Sequence, residues 1–204
     1  MRSPLSLGCA LVLALATTPA AARPGCDWRT VAWPGDIRAI ETGLEAARDS
    51  ARAFTPANAG SRTARALLER AMQPQRLGDI TGTWQVRSIQ VNPDHDFAYA
   101  YPFFRARIGR DACGFTFAKT TGSQRRTGVL RAIAGESRAL AFLGGSTVND
   151  DAARAYSRMA DPRATAQAPS DTQGRLVRIG ARELLMVMDV APASGRFELY
   201  HLKR

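Results

Sequence analysis

The chain has 204 residues and a formal net charge of +10, almost all of it carried by arginine, with lysine only at positions Lys119 and Lys203. That length favours a single domain. No window after the first residues is apolar for long enough to span a bilayer, and the cations are scattered rather than blocked; this argues against a transmembrane segment in the mature chain and against nucleic acid as a partner.

The opening residues, MRSPLSLGCALVLALATTPAAARPGC, place Arg2 before the apolar run Leu7 to Ala16, then Pro19 and the small residues Ala20, Ala21 and Ala22. This is the pattern of a cleavable signal peptide over residues 1–22, with cleavage near Ala22. Its apolar core of about ten residues is too short to anchor the chain. Neither Cys9 nor Cys26 sits where a lipobox would need it. The expected product is one mature domain, residues 23–204, in the periplasm or secreted. Cys9 leaves with the leader, so Cys26 and Cys113 remain in an oxidising compartment; a disulfide between them is expected, with two free or buried thiols as the alternative.

Residues 23–78 read as a helical segment. Ile37, Ile40, Leu44, Ala47 and Ala51 recur at helical spacing over Asp36 to Phe54, with Asp36 as N-cap and Trp33 as a staple against Ile40. Ser61 would cap a second helix ending near Met72, on an apolar stripe of Ala64, Leu67, Leu68 and Ala71. From Asp79 the period changes to that of strands. They are expected at Gly82–Val91, Ala98–Ile108, Cys113–Lys119, Arg126–Ile133, Arg138–Leu143, Arg175–Ile179, Glu183–Val190 and Arg196–Lys203. Short turns between them favour a meander of antiparallel neighbours. The fold class is therefore α+β, mainly β: a helical pair packed on an eight-stranded small barrel, or on an open curled sheet. Residues 144–174 interrupt the meander, with a short helix over NDDAARAYSRM and then a polar stretch that would form a lid or a disordered insertion.

Three constellations stand out. In DHDFAYAYPFFRAR, the aromatics Phe97, Tyr99, Tyr101 and Phe103 alternate, and Arg105 and Arg107 continue the same face; this suits stacking on a ring and pairing with an anion, or else a core wall with arginines at its rim. His95 sits between Asp94 and Asp96, but the only other histidine is His201, too few for a metal site, so no metal and no cofactor are expected. The string KTTGSQRRTG offers Lys119, Thr120, Thr121, Ser123, Gln124, Arg125 and Arg126 as contacts for an anion, although a hairpin is the simpler reading. It lacks both the nucleophile elbow and the phosphate-loop spacing, so Ser123 makes a weak nucleophile, whether the base is His95 or His201.

The strings CDWRTVA, YPFFRARI, FAKTTGSQRRTGVL and ALAFLGG resemble an uncharacterised bacterial secreted family, domain of unknown function 4893. Its cysteines often occupy strands where this chain has Val86 and Ala106, which leaves Cys26 and Cys113 as the available pair here. The resemblance implies an exported domain and no particular reaction. DITGTWQV is more weakly similar to the opening strand of lipocalins, which implies a cation, Lys203 or Arg204, over Trp84. Periplasmic metalloprotease inhibitors open their small barrels in a comparable way. The leading expectation is a non-catalytic binding or envelope-associated protein with a small anionic or envelope ligand contacted by Tyr99, Tyr101, Arg105, Lys119, Thr121, Ser123, Gln124 and Arg125. The alternatives are a protease inhibitor or other protein-binding barrel, and a hydrolase using Ser123.

Overall fold

The computed structural model describes residues 26–53, 55, 58–191 and 194–204. The proposed signal peptide and Phe54 lie outside these residues. A 3-10 turn at Trp28–Thr30 leads into α1 (Pro34–Ala53) and α2 (Ala59–Ala71). The strands follow as β1 (Gly82–Asn92), β2 (Phe97–Ala100), β3 (Phe104–Asp111), β4 (Gly114–Lys119), β5 (Gln124–Ile133) and β6 (Glu136–Val148). After the short α3 (Ser157–Ala160) come β7 (Asp171–Gly180), β8 (Glu183–Ala191) and β9 (Arg196–Lys203). Cys26 and Cys113 form a disulfide that ties the segment before the helices to the β3–β4 turn.

Eight strands, β1 and β3 to β9, pair antiparallel with their neighbours, and β9 returns to β1 to close a barrel. The ninth, β2, continues the β3 edge of β1: Ile89–Asn92 pair with β2, and Gly82–Val86 with β3. The expected strand Ala98–Ile108 is thus broken at 101–103, where Pro102 cannot donate to the ladder. Four residues separate Val86 from Gln90, but five separate their partners Phe104 and Tyr99. The extra residue reverses the alternation, so Arg105 and Arg107 do not continue the face of Phe97 and Tyr99.

Side-chain alternation divides the core in two. Trp84, Phe117, Phe142, Met186, Tyr200 and Leu202 fill the barrel interior, with the rings of Phe117 and Phe142 meeting edge-on at 5.8 Å. Ile89, Ala141, Val177, Leu185, Val187 and Leu199 point outward and are covered by the apolar stripes of α1 and α2. β8 is consequently apolar on both faces. Gly60 lets α2 settle on β2, since a Cβ there would stand 2.3 Å from the Ala98 carbonyl oxygen. Below Trp84, the Arg204 guanidinium lies 4.2 Å from the ring centroid, the cation-over-tryptophan contact expected of Lys203 or Arg204.

Three local expectations are corrected. The first α1 bond runs from Ile37 N to the Trp33 oxygen, so Trp33 holds the cap position, while Asp36 lies inside the first turn and accepts from Tyr156 and Gln167. Asn58, not Ser61, caps α2 by accepting from the Ser61 amide at 2.8 Å. The helix expected over 149–159 shrinks to Ser157–Ala160. Its earlier residues must lie flat over Gly145, where a Cβ would meet the Arg154 oxygen at 2.5 Å, and buried Tyr156 anchors them to α1.

Candidate functional site

Inward positions change character along the barrel. On β1 the series is Trp84, Val86, Ser88, Gln90; on β5, read backwards, Leu130, Gly128, Arg126, Gln124; on β9, read backwards, Leu202, Tyr200, Glu198. β4 passes from Phe117 to Lys119, β6 from Phe142 to Ser146, and β7, read backwards, from Leu176 to Thr172. One end is therefore apolar and solid, the other polar.

Arg126 holds the polar end together. Its Nη2 lies 2.6 Å from Glu198 and 2.7 Å from Asp189, Nη1 donates to the Tyr200 hydroxyl at 3.1 Å, and Nε donates to Thr172 Oγ1 at 3.1 Å. Ser88 donates to the other Glu198 oxygen, and Thr172 to Asp189. Asp189 reaches in because β8 breaks register there and the residue adopts φ +52, a conformation aspartate tolerates better than most. Burial works against the charge of Arg126, but the facing carboxylates, Glu198 foremost, hold its pKa above the ordinary value. Burial pushes the Tyr200 hydroxyl up to about 12 and lowers Lys119, whose ammonium donates to the Gln124 carbonyl and lies 4.7 Å from the Phe104 ring centroid.

Above this layer opens a cavity of about 540 Å³, bounded by Gln90, Gln124, Arg126, Glu198, Ser146 and the insertion residues Asp151, Arg154 and Ala168–Ser170. A second hollow of about 380 Å³ shares Gln90 and Glu198 with it and runs under Phe97, Tyr99 and Arg196. The two together have the size of a small-ligand site. Phe97 and Tyr99 stack at 6.5 Å and are 46% and 49% exposed, forming an aromatic shelf beside the mouth. Gln90 donates to Gln124 at 3.3 Å and accepts from the Tyr101 hydroxyl at 3.4 Å. The insertion is pinned from behind: Asp171 accepts from Trp33 Nε1 and from the Ser157 amide and hydroxyl, while Tyr156 donates to Asp36.

Of the residues singled out in the sequence, Tyr99, Gln124 and Arg125 border these hollows, with Tyr101 and Lys119 directly behind them. Arg125 is engaged with the Gly122 carbonyl at 3.1 Å and Asp150 at 3.2 Å. Arg105 turns its side chain to the outer surface, and Thr121 is occupied in accepting from the Arg105 amide at 2.8 Å. Ser123 is exposed and its carbonyl accepts from Asn149. The strings YPFFR and TGSQR do meet, but at the Arg105 backbone rather than its guanidinium: the preceding Thr120 also bonds the Arg105 carbonyl, and Gly122, at φ +88, lies against the Phe104 ring, where a Cβ would come within 3.0 Å. Neither histidine bonds Ser123 among the described residues; His201 faces Glu183 at 3.3 Å. No cluster of three or more metal-ligating side chains occurs among the described residues.

Sequence reasoning named Arg126 only as one of the cations of KTTGSQRRTG that could hold an anion, and it missed Gln90, Ser146, Asp189 and Glu198. Arg126 and Glu198 carried a usable signal, because each shares strand parity with apolar core residues, Leu130 and Leu202 respectively.

Fold and site together define a small closed antiparallel barrel with a solid apolar interior, a polar mouth and a helical brace. The chain belongs to the family described as Domain of unknown function (DUF4893), which matches residues 28–202 and so takes in all three α-helices and every strand but the last residue of β9. No curated protein and no solved structure matches the chain.

Proposed function

We propose that this protein is an exported, non-catalytic binding module that takes a small anionic ligand at the barrel mouth. The observation that carries this reading is the cavity of about 540 Å³ lined by hydrogen-bonding side chains over a buried charged floor, with Arg125 and Arg154 at its edge. Arg154 is exposed and has no ion-pair partner among the described residues, so an incoming acid would meet a cation that needs no release from a competing carboxylate. Supporting export are the leader pattern of residues 1–22 and the Cys26–Cys113 disulfide, a bond that persists in oxidising compartments. Among the described residues, no helix is long and apolar enough to cross a membrane.

A thermal-shift panel of small organic acids and their neutral counterparts, run on protein purified from the full-length gene, tests the reading. Several acids should raise the melting temperature, and Ser146→Trp, which fills the cavity from β6, should abolish the shifts. A panel in which no acid stabilises the protein, or in which Ser146→Trp responds as the parent does, would rule the mouth out as the binding site.

A further inference from the structure

The side chains around the mouth narrow the ligand class, given that the mouth is the binding site. A compact polyanion such as phosphate would need donors on all sides, but the cavities also present the acceptors Glu198, Asp189 and Asp151. Those carboxylates repel a second negative charge. They suit hydroxyl groups, which donate as well as accept. Gln90 and Gln124 offer the same dual character; their mutual bond uses one Gln90 amide hydrogen and one Gln124 lone pair, leaving Gln124 both amide hydrogens and Gln90 one more. Beside them lies the half-exposed Phe97–Tyr99 pair, two near-parallel rings whose exposed apolar surface offers packing to a ligand ring. A planar polyaromatic ligand would also stack there, but it would cover the remaining amide hydrogens of Gln90 and Gln124 without giving them partners, at a cost in desolvation. Arg125 and Arg154 line the insertion-side cavity, whereas Arg196, on the shelf side, is engaged with Asn92 and Asp94.

We infer that the mouth recognises an acidic sugar of the hexuronic acid type: a ring whose C–H face rests on Tyr99, whose hydroxyls engage Gln90, Gln124 and Glu198, and whose single carboxylate reaches Arg154. Floor and rim then divide the work, the first reading hydroxyls and the second charge. Such a group occurs both as a free monosaccharide and as a terminal unit of an acidic polysaccharide, and the open mouth admits either.

Calorimetric titration of the purified protein with D-glucuronate, D-galacturonate, trigalacturonate, D-glucose, inorganic phosphate and benzoate separates the possibilities. A hexuronate should bind at least tenfold more tightly than glucose, and phosphate should not compete with it. Tyr99→Ala should weaken the hexuronate at least tenfold. Arg154→Ala should remove the preference for hexuronate over glucose. A trisaccharide that binds much more tightly than the monosaccharide identifies the polysaccharide source; equal affinity identifies the free sugar. Benzoate or phosphate binding as well as glucuronate would overturn the sugar assignment and leave a general acid site at the mouth. If no sugar binds while the organic-acid panel still responds to Ser146→Trp, only this inference fails; if neither responds, the mouth reading fails with it.

Discussion

Replacing Arg126 by methionine isolates the charge that organises the mouth, because the methionine keeps the apolar stem of the side chain and removes the guanidinium. Arg126 is the shared partner of Glu198, whose side chain is 8% exposed, and of Asp189, which is 34% exposed. Removing one member of a buried pair costs about 3–5 kcal/mol, since the other charge is left without compensation. Two groups soften that here: Ser88 still donates to Glu198, and Lys119 lies close enough for Glu198 to favour its charge. The lower end, about 3 kcal/mol, is therefore expected. With a urea m-value of about 2 kcal/mol/M, the unfolding midpoint should fall by about 1.5 M. Urea denaturation followed by tryptophan fluorescence under oxidising conditions measures it. Adding Glu198→Gln should recover at least half of the loss, because the orphaned carboxylate is gone. A midpoint within about 0.3 M of the parent for Arg126→Met, or strictly additive losses in the double variant, would refute the coupled buried network.

The disulfide joins residues separated by 87 positions, so Cys26→Ser with Cys113→Ala should cost about 2–4 kcal/mol, read as a lower urea midpoint that dithiothreitol reproduces in the parent. A parent indifferent to dithiothreitol would contradict this. Burial raises the pKa of Asp36, so the folded chain holds that proton more tightly than the unfolded chain does, and stability from this group falls as pH rises from about 4 through the folded value. Asp36→Asn keeps an acceptor for Tyr156 and Gln167; it should be at least as stable as the parent at pH 7, with the difference shrinking on acidification, and a difference that grows toward pH 4 would reverse the sign of the argument. Arg204→Ala removes the cation over Trp84 and the bond to the Thr81 carbonyl, costing about 1 kcal/mol for so exposed an arginine and altering the near-ultraviolet circular dichroism of the tryptophan. An unchanged spectrum would mean that the contact does not form in solution.

How far the sequence reveals this molecule depends on the range of the interaction concerned. The two helices and eight strand positions are legible because period and turn chemistry are local, and the barrel follows once short turns make neighbours antiparallel. What escapes is set by contacts distant in sequence. Trp33 displaces Asp36 from the cap position because the aspartate is claimed by Tyr156, 120 residues away. The single extra residue near Pro102 moves Arg105 to the outside, and a period-two reading has no means of locating it before the pairing of β1 is known. β6 runs on to Val148 although Gly144 and Gly145 look like a strand end, because the cross-strand pair Gly128 and Gly144 makes room for the Phe142 ring. The mouth itself is assembled from one or two inward positions on each of several strands, so no contiguous string could announce it.

The division of the barrel into a filled part and an open part has a consequence for which residues can change freely. A barrel of eight strands has an interior just wide enough for side chains or one small ligand. Here Trp84, Phe117, Phe142 and Tyr200 occupy it, all buried to within 1%. A ligand is therefore confined to the space above Tyr200, where five of the thirteen lining residues come from positions 151–170 of the insertion rather than from the sheet. Substitutions below the Arg126 layer act on packing and should move stability with little selectivity among ligands. Substitutions in the insertion act on the cavity rim, and the insertion is held by side-chain anchors that belong to neither cavity: Tyr156 and Gln167 on Asp36, Arg158 on the Ala32 carbonyl, and Asp171 on Trp33. Tyr156→Phe should accordingly separate the two properties. Losing the Asp36 bond frees the rim without opening the barrel, so binding at the mouth should weaken more than the urea midpoint falls. Equal proportional losses in both would show that the rim and the barrel unfold as one unit.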